Sequence, residues 1–108
     1  MLNMELLTYI TQNITQFSIT SRKMFGGIGV FSDGVMFALI YDGALYLKST
    51  PAIAKTYAAD STPFQPPFRR NMTMPYWRIP ESILKDRHQF TEWAQQSLEY
   101  AKMTKKKK

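Results

Sequence analysis

Ile28-Gly29-Val30-Phe31-Ser32-Asp33-Gly34-Val35-Met36-Phe37-Ala38-Leu39-Ile40-Tyr41-Asp42-Gly43-Ala44-Leu45-Tyr46-Leu47-Lys48 is the stretch that decides the fold. It consists of apolar runs cut by two Asp-Gly pairs. Asp-Gly accepts the positive φ angles of a two-residue hairpin turn, so each run folds back antiparallel on the one before it. The middle run, Val35 to Tyr41, is apolar at seven consecutive positions. A strand that is hydrophobic on both sides belongs at the centre of a sheet, or has its second face covered by other elements. The result is an antiparallel meander built from local pairings.

Outward from the meander, helical spacing takes over. Leu6, Leu7, Ile10, Ile14 and Phe17 recur at intervals of three and four, which predicts a helix that ends before Ser18-Ile19-Thr20. On the other side, Thr50-Pro51 supplies an N-cap and a proline at the first helical position, opening a helix that runs to about Tyr57-Ala58. Phe64-Gln65-Pro66-Pro67-Phe68 reads as extended edge or loop. Met72 to Trp77 alternates as a strand in which Pro75 requires an edge position or a bulge. Ile79-Pro80 opens a short helix through Ile83-Leu84. Asp86 then caps the last helix, with Gln89 closing a capping box. In that helix Phe90, Trp93, Ala94, Ser97, Leu98 and Ala101 form one apolar stripe. The expected class is α+β, an antiparallel β-sheet with helices packed on one face.

A length of 108 residues fits one domain, and 44% apolar content is enough for a core without staples. The formal charge is +6, yet Lys102 and Lys105 to Lys108 account for most of it: without them nine basic residues face eight acidic ones. The body is nearly neutral, and the expected division is a single domain over 1–104 with a disordered lysine tail over 105–108. The absence of cysteine excludes disulfides, thiolate metal sites and cysteine nucleophiles. With no secretory pattern at Met1-Leu2-Asn3-Met4-Glu5 and no apolar run of membrane-spanning length, the expected location is the cytoplasm, with no membrane contact.

The chemical inventory argues against an enzyme. His88 is the single histidine, so it has no second imidazole or thiolate with which to hold a metal, and no Gly-x-Ser-x-Gly elbow exists. Asp33 and Asp42 stand in turns that account for them by geometry. Gly26-Gly27-Ile28-Gly29 precedes a strand, whereas phosphate-binding glycine motifs open a helix, and neither the Lys-Ser/Thr pair nor the third glycine of those motifs follows. Gly26, Gly27 and Gly29 read instead as a structural turn needing positive φ and close backbone approach. No catalytic, metal or cofactor site is expected.

Two clusters remain. Arg22-Lys23 precedes Met24-Phe25, and Arg69-Arg70 leads toward Tyr76-Trp77-Arg78. Basic residues beside aromatics occur at protein interfaces and in single-strand nucleic-acid sites. Arg22, Lys23, Arg69, Arg70 and Trp77 are the candidate partner-binding residues. A protein partner is the first expectation. Weak nucleic-acid binding through these clusters and the lysine tail is the alternative, and the same surface leaves room for a homodimer.

Ser21-Arg22-Lys23-Met24-Phe25-Gly26-Gly27-Ile28-Gly29-Val30-Phe31, Val35-Met36-Phe37-Ala38-Leu39-Ile40 and Leu45-Tyr46-Leu47-Lys48 together resemble the N-terminal domain of the TfoX/Sxy family. Met74-Pro75-Tyr76-Trp77-Arg78-Ile79-Pro80, followed by Leu84, is similar to that domain's other recurrent segment. The resemblance spans about Glu5 to Ala101. It implies a two-layer sandwich similar to the secretion-chaperone-like fold, without catalytic residues or cofactor. It also implies a role in regulating bacterial DNA-uptake competence, where full-length regulators act as coactivators with the cyclic-AMP receptor protein. Those regulators add a second domain resembling helix-hairpin-helix modules, and this sequence corresponds to the first.

Overall fold

Asp33 and Gly34 sit at φ 52° and 75°, and Asp42 and Gly43 at 51° and 74°. Both central residues of each turn are therefore left-handed, as a hairpin turn matched to strand twist requires. These turns join β2 (Gly27–Ser32), β3 (Val35–Tyr41) and β4 (Ala44–Lys48) in the computed structural model, which describes residues 2–24, 26–66 and 74–106. β1 (Thr20–Met24) pairs antiparallel with β2 ahead of them, a strand that the sequence signals only through hydroxyl and β-branched residues at 18–20. After helix α2 (Pro51–Tyr57), β5 (Pro63–Phe64) and β6 (Met74–Arg78) complete a six-stranded sheet of order β1-β2-β3-β4-β6-β5. All its pairings are antiparallel.

β3 is central, and Phe37 through Ile40 are fully buried. Its ladder with β2 slips once: Val30 pairs with Ala38 but Phe31 with Met36, so Phe37 is the extra residue of a bulge. Phe37 and Ala38 consequently join the same core, against the strict alternation of a regular strand. Pro75 is accommodated similarly. β6 is internal, but β5 bonds it at Trp77 and Met74 with a register shift between, and Pro75 falls in that gap.

The helices all contribute to one core on one side of the sheet. α1 (Asn3–Asn13) buries Leu6 and Ile10. It stops earlier than the apolar spacing predicts, because Ile14 has already turned to φ −95°, ψ 106°. Thr11 and Asn13 bond back to the carbonyls of Leu7 and Tyr9, and such polar side chains compete with continued helix. Ile14 stays buried, and Phe17 still packs edge-on against Phe37 at 5.3 Å. The apolar spacing thus marks buried positions beyond the point where the helical backbone ends. α3 (Glu81–Leu84) adds Leu84, whose carbonyl accepts from the Tyr9 hydroxyl at 2.7 Å.

α4 (Arg87–Lys106) lays its stripe of Phe90, Trp93, Ala94, Leu98 and Ala101 into the core. Trp93 is wholly enclosed, stacked on Tyr57 at 5.3 Å, and its indole N–H donates to the buried Ser49 Oγ at 2.7 Å. The N-cap is Asp86, whose Oδ1 accepts from the Gln89 backbone at 3.2 Å. The capping box differs from expectation: the Gln89 side-chain amide donates to Asp86 Oδ2 at 2.8 Å, and the Asp86 backbone N–H donates to the Ile83 carbonyl at 3.1 Å rather than to the Gln89 side chain. Helical backbone continues to Lys106, two residues into the run expected to form the tail; Lys107 and Lys108 lie outside the described residues. No described helix is long and apolar enough to cross a membrane.

Candidate partner-binding surface

Helices cover one face of the sheet, and the pleat directs alternate residues to the other. There Leu39, Phe64 and Tyr76 form a second, smaller buried cluster, with Met36, Tyr41, Tyr46 and Met74 partly buried around it. Phe64 is its centre, meeting Tyr41 at 5.3 Å and Tyr46 at 5.1 Å, both edge-to-face.

Three cations border this aromatic face. Arg22 on β1 holds its guanidinium 5.4 Å from the Phe31 ring centroid. Gly29 supplies the floor under that pair: a Cβ there would approach Met24 Cε at 2.9 Å and Phe31 Cε1 at 3.0 Å. Lys48 at the end of β4 reaches over Tyr76, with Nζ 5.9 Å from the centroid. Arg78 on β6 lies directly opposite Tyr46. Among the described residues none of the three forms an ion pair. Those that do are Lys85 with Glu81 and Lys102 with Asp33.

The sequence candidates are only partly gathered. Arg22 belongs to this face. Lys23, the next residue, pairs opposite Ile28 and projects from the other side of the sheet. Trp77 also faces the helical side, packed against the main core with Lys55 Nζ 5.7 Å from its ring. β1 and β6 are separated by three strands, so Arg22 and Trp77 stand about 19 Å apart across the sheet at ordinary strand spacing. Arg69 and Arg70 lie outside the described residues, as does Phe25. The three glycines have separate roles. Gly26 takes φ 79°, a Cβ at Gly27 would fall on the Ile40 carbonyl oxygen, and Gly29 underlies the Arg22–Phe31 pair. His88 is exposed at the start of α4, and no three His, Asp or Glu residues gather among the described ones.

The recurrent segments that form this face lie within residues 15–101, which match the family of the TfoX N-terminal domain. The chain belongs to that family. The family is one of competence-related regulatory domains, generally non-catalytic. No curated protein matches the chain. The matched span of this TfoX N-terminal domain takes in all six strands and most of α4, and α1 precedes it.

Electrostatics follow from the burial of this domain's second face. Burial pushes the Tyr76 hydroxyl up to about 12, and that hydroxyl donates to the Met36 carbonyl at 3.4 Å. Burial also raises the Tyr46 hydroxyl, against the opposing pull of Arg78. The Lys48 ammonium is lowered by loss of water. Lys48 and Arg78 are not among the sequence candidates, although Arg78 stands in the second basic-aromatic cluster. The signal was present: Tyr46 and Lys48 share a face by alternation from the Asp42-Gly43 turn, and β6 brings Arg78 alongside. That last pairing is long-range and has no local signature.

Proposed function

We propose that this domain is a non-catalytic, cytoplasmic regulatory module that acts through a protein partner in transcription for DNA-uptake competence, with the second sheet face as its contact surface. The observation that carries the reading is that Arg22, Lys48 and Arg78 form no ion pair among the described residues while bordering a cluster of Tyr, Phe and Met. Tyrosine, methionine and arginine are the residues that protein interfaces enrich. Single-stranded nucleic acid would need free ring faces on which bases stack. Here Arg22 lies over Phe31, and Phe64 engages both Tyr41 and Tyr46. The body's near-neutral charge also falls short of the six or so cationic contacts that strong phosphate binding uses.

The test compares wild type with Lys48→Gln/Arg78→Glu for binding to the host's cyclic-AMP receptor protein, the partner implied by the family, and to duplex and single-stranded DNA near physiological salt. DNA should bind only at roughly 10⁻⁴ to 10⁻⁶ M, the range of non-specific contact. The double variant should lose the protein partner while its circular dichroism is unchanged. Tight, sequence-dependent DNA binding would overturn the proposal and make the domain a nucleic-acid reader.

A further inference from the structure

β1 is an open edge. Among the described residues it pairs with β2 on one side alone, and Thr20, Ser21, Arg22 and Lys23 are all exposed. On the helical face, α1 and α4 pack mainly over β3 and β4, towards the middle of the sheet. Backbone N–H and C=O groups on the outer side of such a strand are a template for another strand. Edges are often blunted by a proline or a bulge. β1 contains no proline, and the register shift nearest to it lies one ladder further in, between β2 and β3. What this edge carries is two consecutive cations of one sign. Arg22 pairs opposite Gly29 and Lys23 opposite Ile28, which puts one on each face of the sheet. Neither forms an ion pair among the described residues.

We propose that β1 accepts an extended acidic segment of a protein partner as a seventh strand, recognised by two consecutive acidic residues. This rests on the reading of the domain as a protein-binding module and specifies the chemistry of what it binds. In an added strand, the residues opposite Arg22 and Lys23 are themselves consecutive and point to opposite faces, so each cation meets one carboxylate. β-branched residues on either side would favour the extended backbone. The same charges reject a second copy of this chain. Antiparallel pairing of two β1 strands about Arg22 sets the two guanidinium groups directly opposite each other on one face, which is destabilising. A nucleic acid supplies phosphate charge but no backbone amides to extend the ladder. The main-chain bonds therefore separate the peptide from any other polyanion.

The probe is a capped peptide, Thr-Val-Glu-Glu-Val-Thr, titrated into the full chain while amide exchange is followed residue by residue by NMR. Outward-facing amides of β1 should exchange at least about tenfold more slowly at saturation, as amides do when they gain partners. A peptide of the same sequence N-methylated at alternate positions keeps its charge and loses its donors, and it should bind at least about tenfold more weakly. Arg22→Glu/Lys23→Glu should reverse the preference, taking a capped Thr-Val-Lys-Lys-Val-Thr peptide over the Glu-Glu one. Three results would overturn the proposal: unprotected β1 amides at millimolar peptide, equal binding by the N-methylated peptide, or equal protection of β1 by a single-stranded oligonucleotide. The Lys48/Arg78 experiment uses residues on β4 and β6, so the broader reading and this one fail independently.

Discussion

Gly27 illustrates what one missing side chain does. A Cβ there would fall on the Ile40 carbonyl oxygen and come within 3.2 Å of Tyr41 Cδ1. Both belong to β3, a central strand that cannot move without disturbing the core. Gly27→Ala should therefore destabilise by about 1–3 kcal/mol, the usual cost of overpacking a well-filled site. Gly29 differs because its neighbours are Met24 and Phe31 side-chain ends, and methionine yields readily. Gly29→Ala should cost less than Gly27→Ala while displacing Phe31 from beneath Arg22. Urea unfolding of the two variants ranks them. A Gly27→Ala protein as stable as wild type would remove the close-approach explanation.

Among the elements, α4 shows a helix start set by electrostatics. The side-chain and backbone hydrogen bonds from Gln89 hold the Asp86 carboxyl below its ordinary value of 3.8. A group whose pKa is lowered by folding adds stability above its unfolded value and loses it as pH falls through the folded one. Glu81, held down by Lys85, has the same sign. Helix stability should therefore decline below about pH 4, where carboxylates take up protons. Asp86→Asn keeps a good capping oxygen but does not titrate, so the variant should show a shallower acid dependence of its urea midpoint than wild type. An unchanged acid slope would assign the titration elsewhere. α1 illustrates the reverse case, in which apolar spacing correctly marked Ile14 and Phe17 for burial although the chain leaves the helix at Ile14.

The whole molecule is held by one large core in which distant parts of the chain are joined at Trp93. Trp93 from α4, Tyr57 from α2 and Ser49 after β4 meet there through a stacked ring pair and a buried hydrogen bond. Trp93→Ala should destabilise by about 3–5 kcal/mol, since it opens a cavity and leaves Ser49 Oγ without its donor. A loss under about 1 kcal/mol in thermal unfolding would mean the site collapses around the gap. The Lys102–Asp33 bridge, which ties the end of α4 to the β2–β3 turn, is exposed at both ends and should contribute only about 0–1 kcal/mol.

The sequence alone determined what is local. The two Asp-Gly turns dictated the meander, because few other residue pairs tolerate two successive positive φ angles. Thr50 and Asp86 marked helix starts because their oxygens cap free N–H groups within three residues. The seven apolar positions of β3 marked a strand buried on both faces. The tertiary structure alone decided what depends on distant pairing. Strand order put Arg22 and Trp77 far apart and the pleat put them on opposite faces, although both stood in similar basic-aromatic clusters. The β4–β6 ladder brought Arg78 to Tyr46 and Lys48 to Tyr76, joining residues some thirty positions apart in the chain. β1 was the least legible element, since a polar edge strand lacks the hydrophobic alternation that burial imposes. Its open edge is a product of strand order, which among the described residues gives β1 a neighbour only in β2.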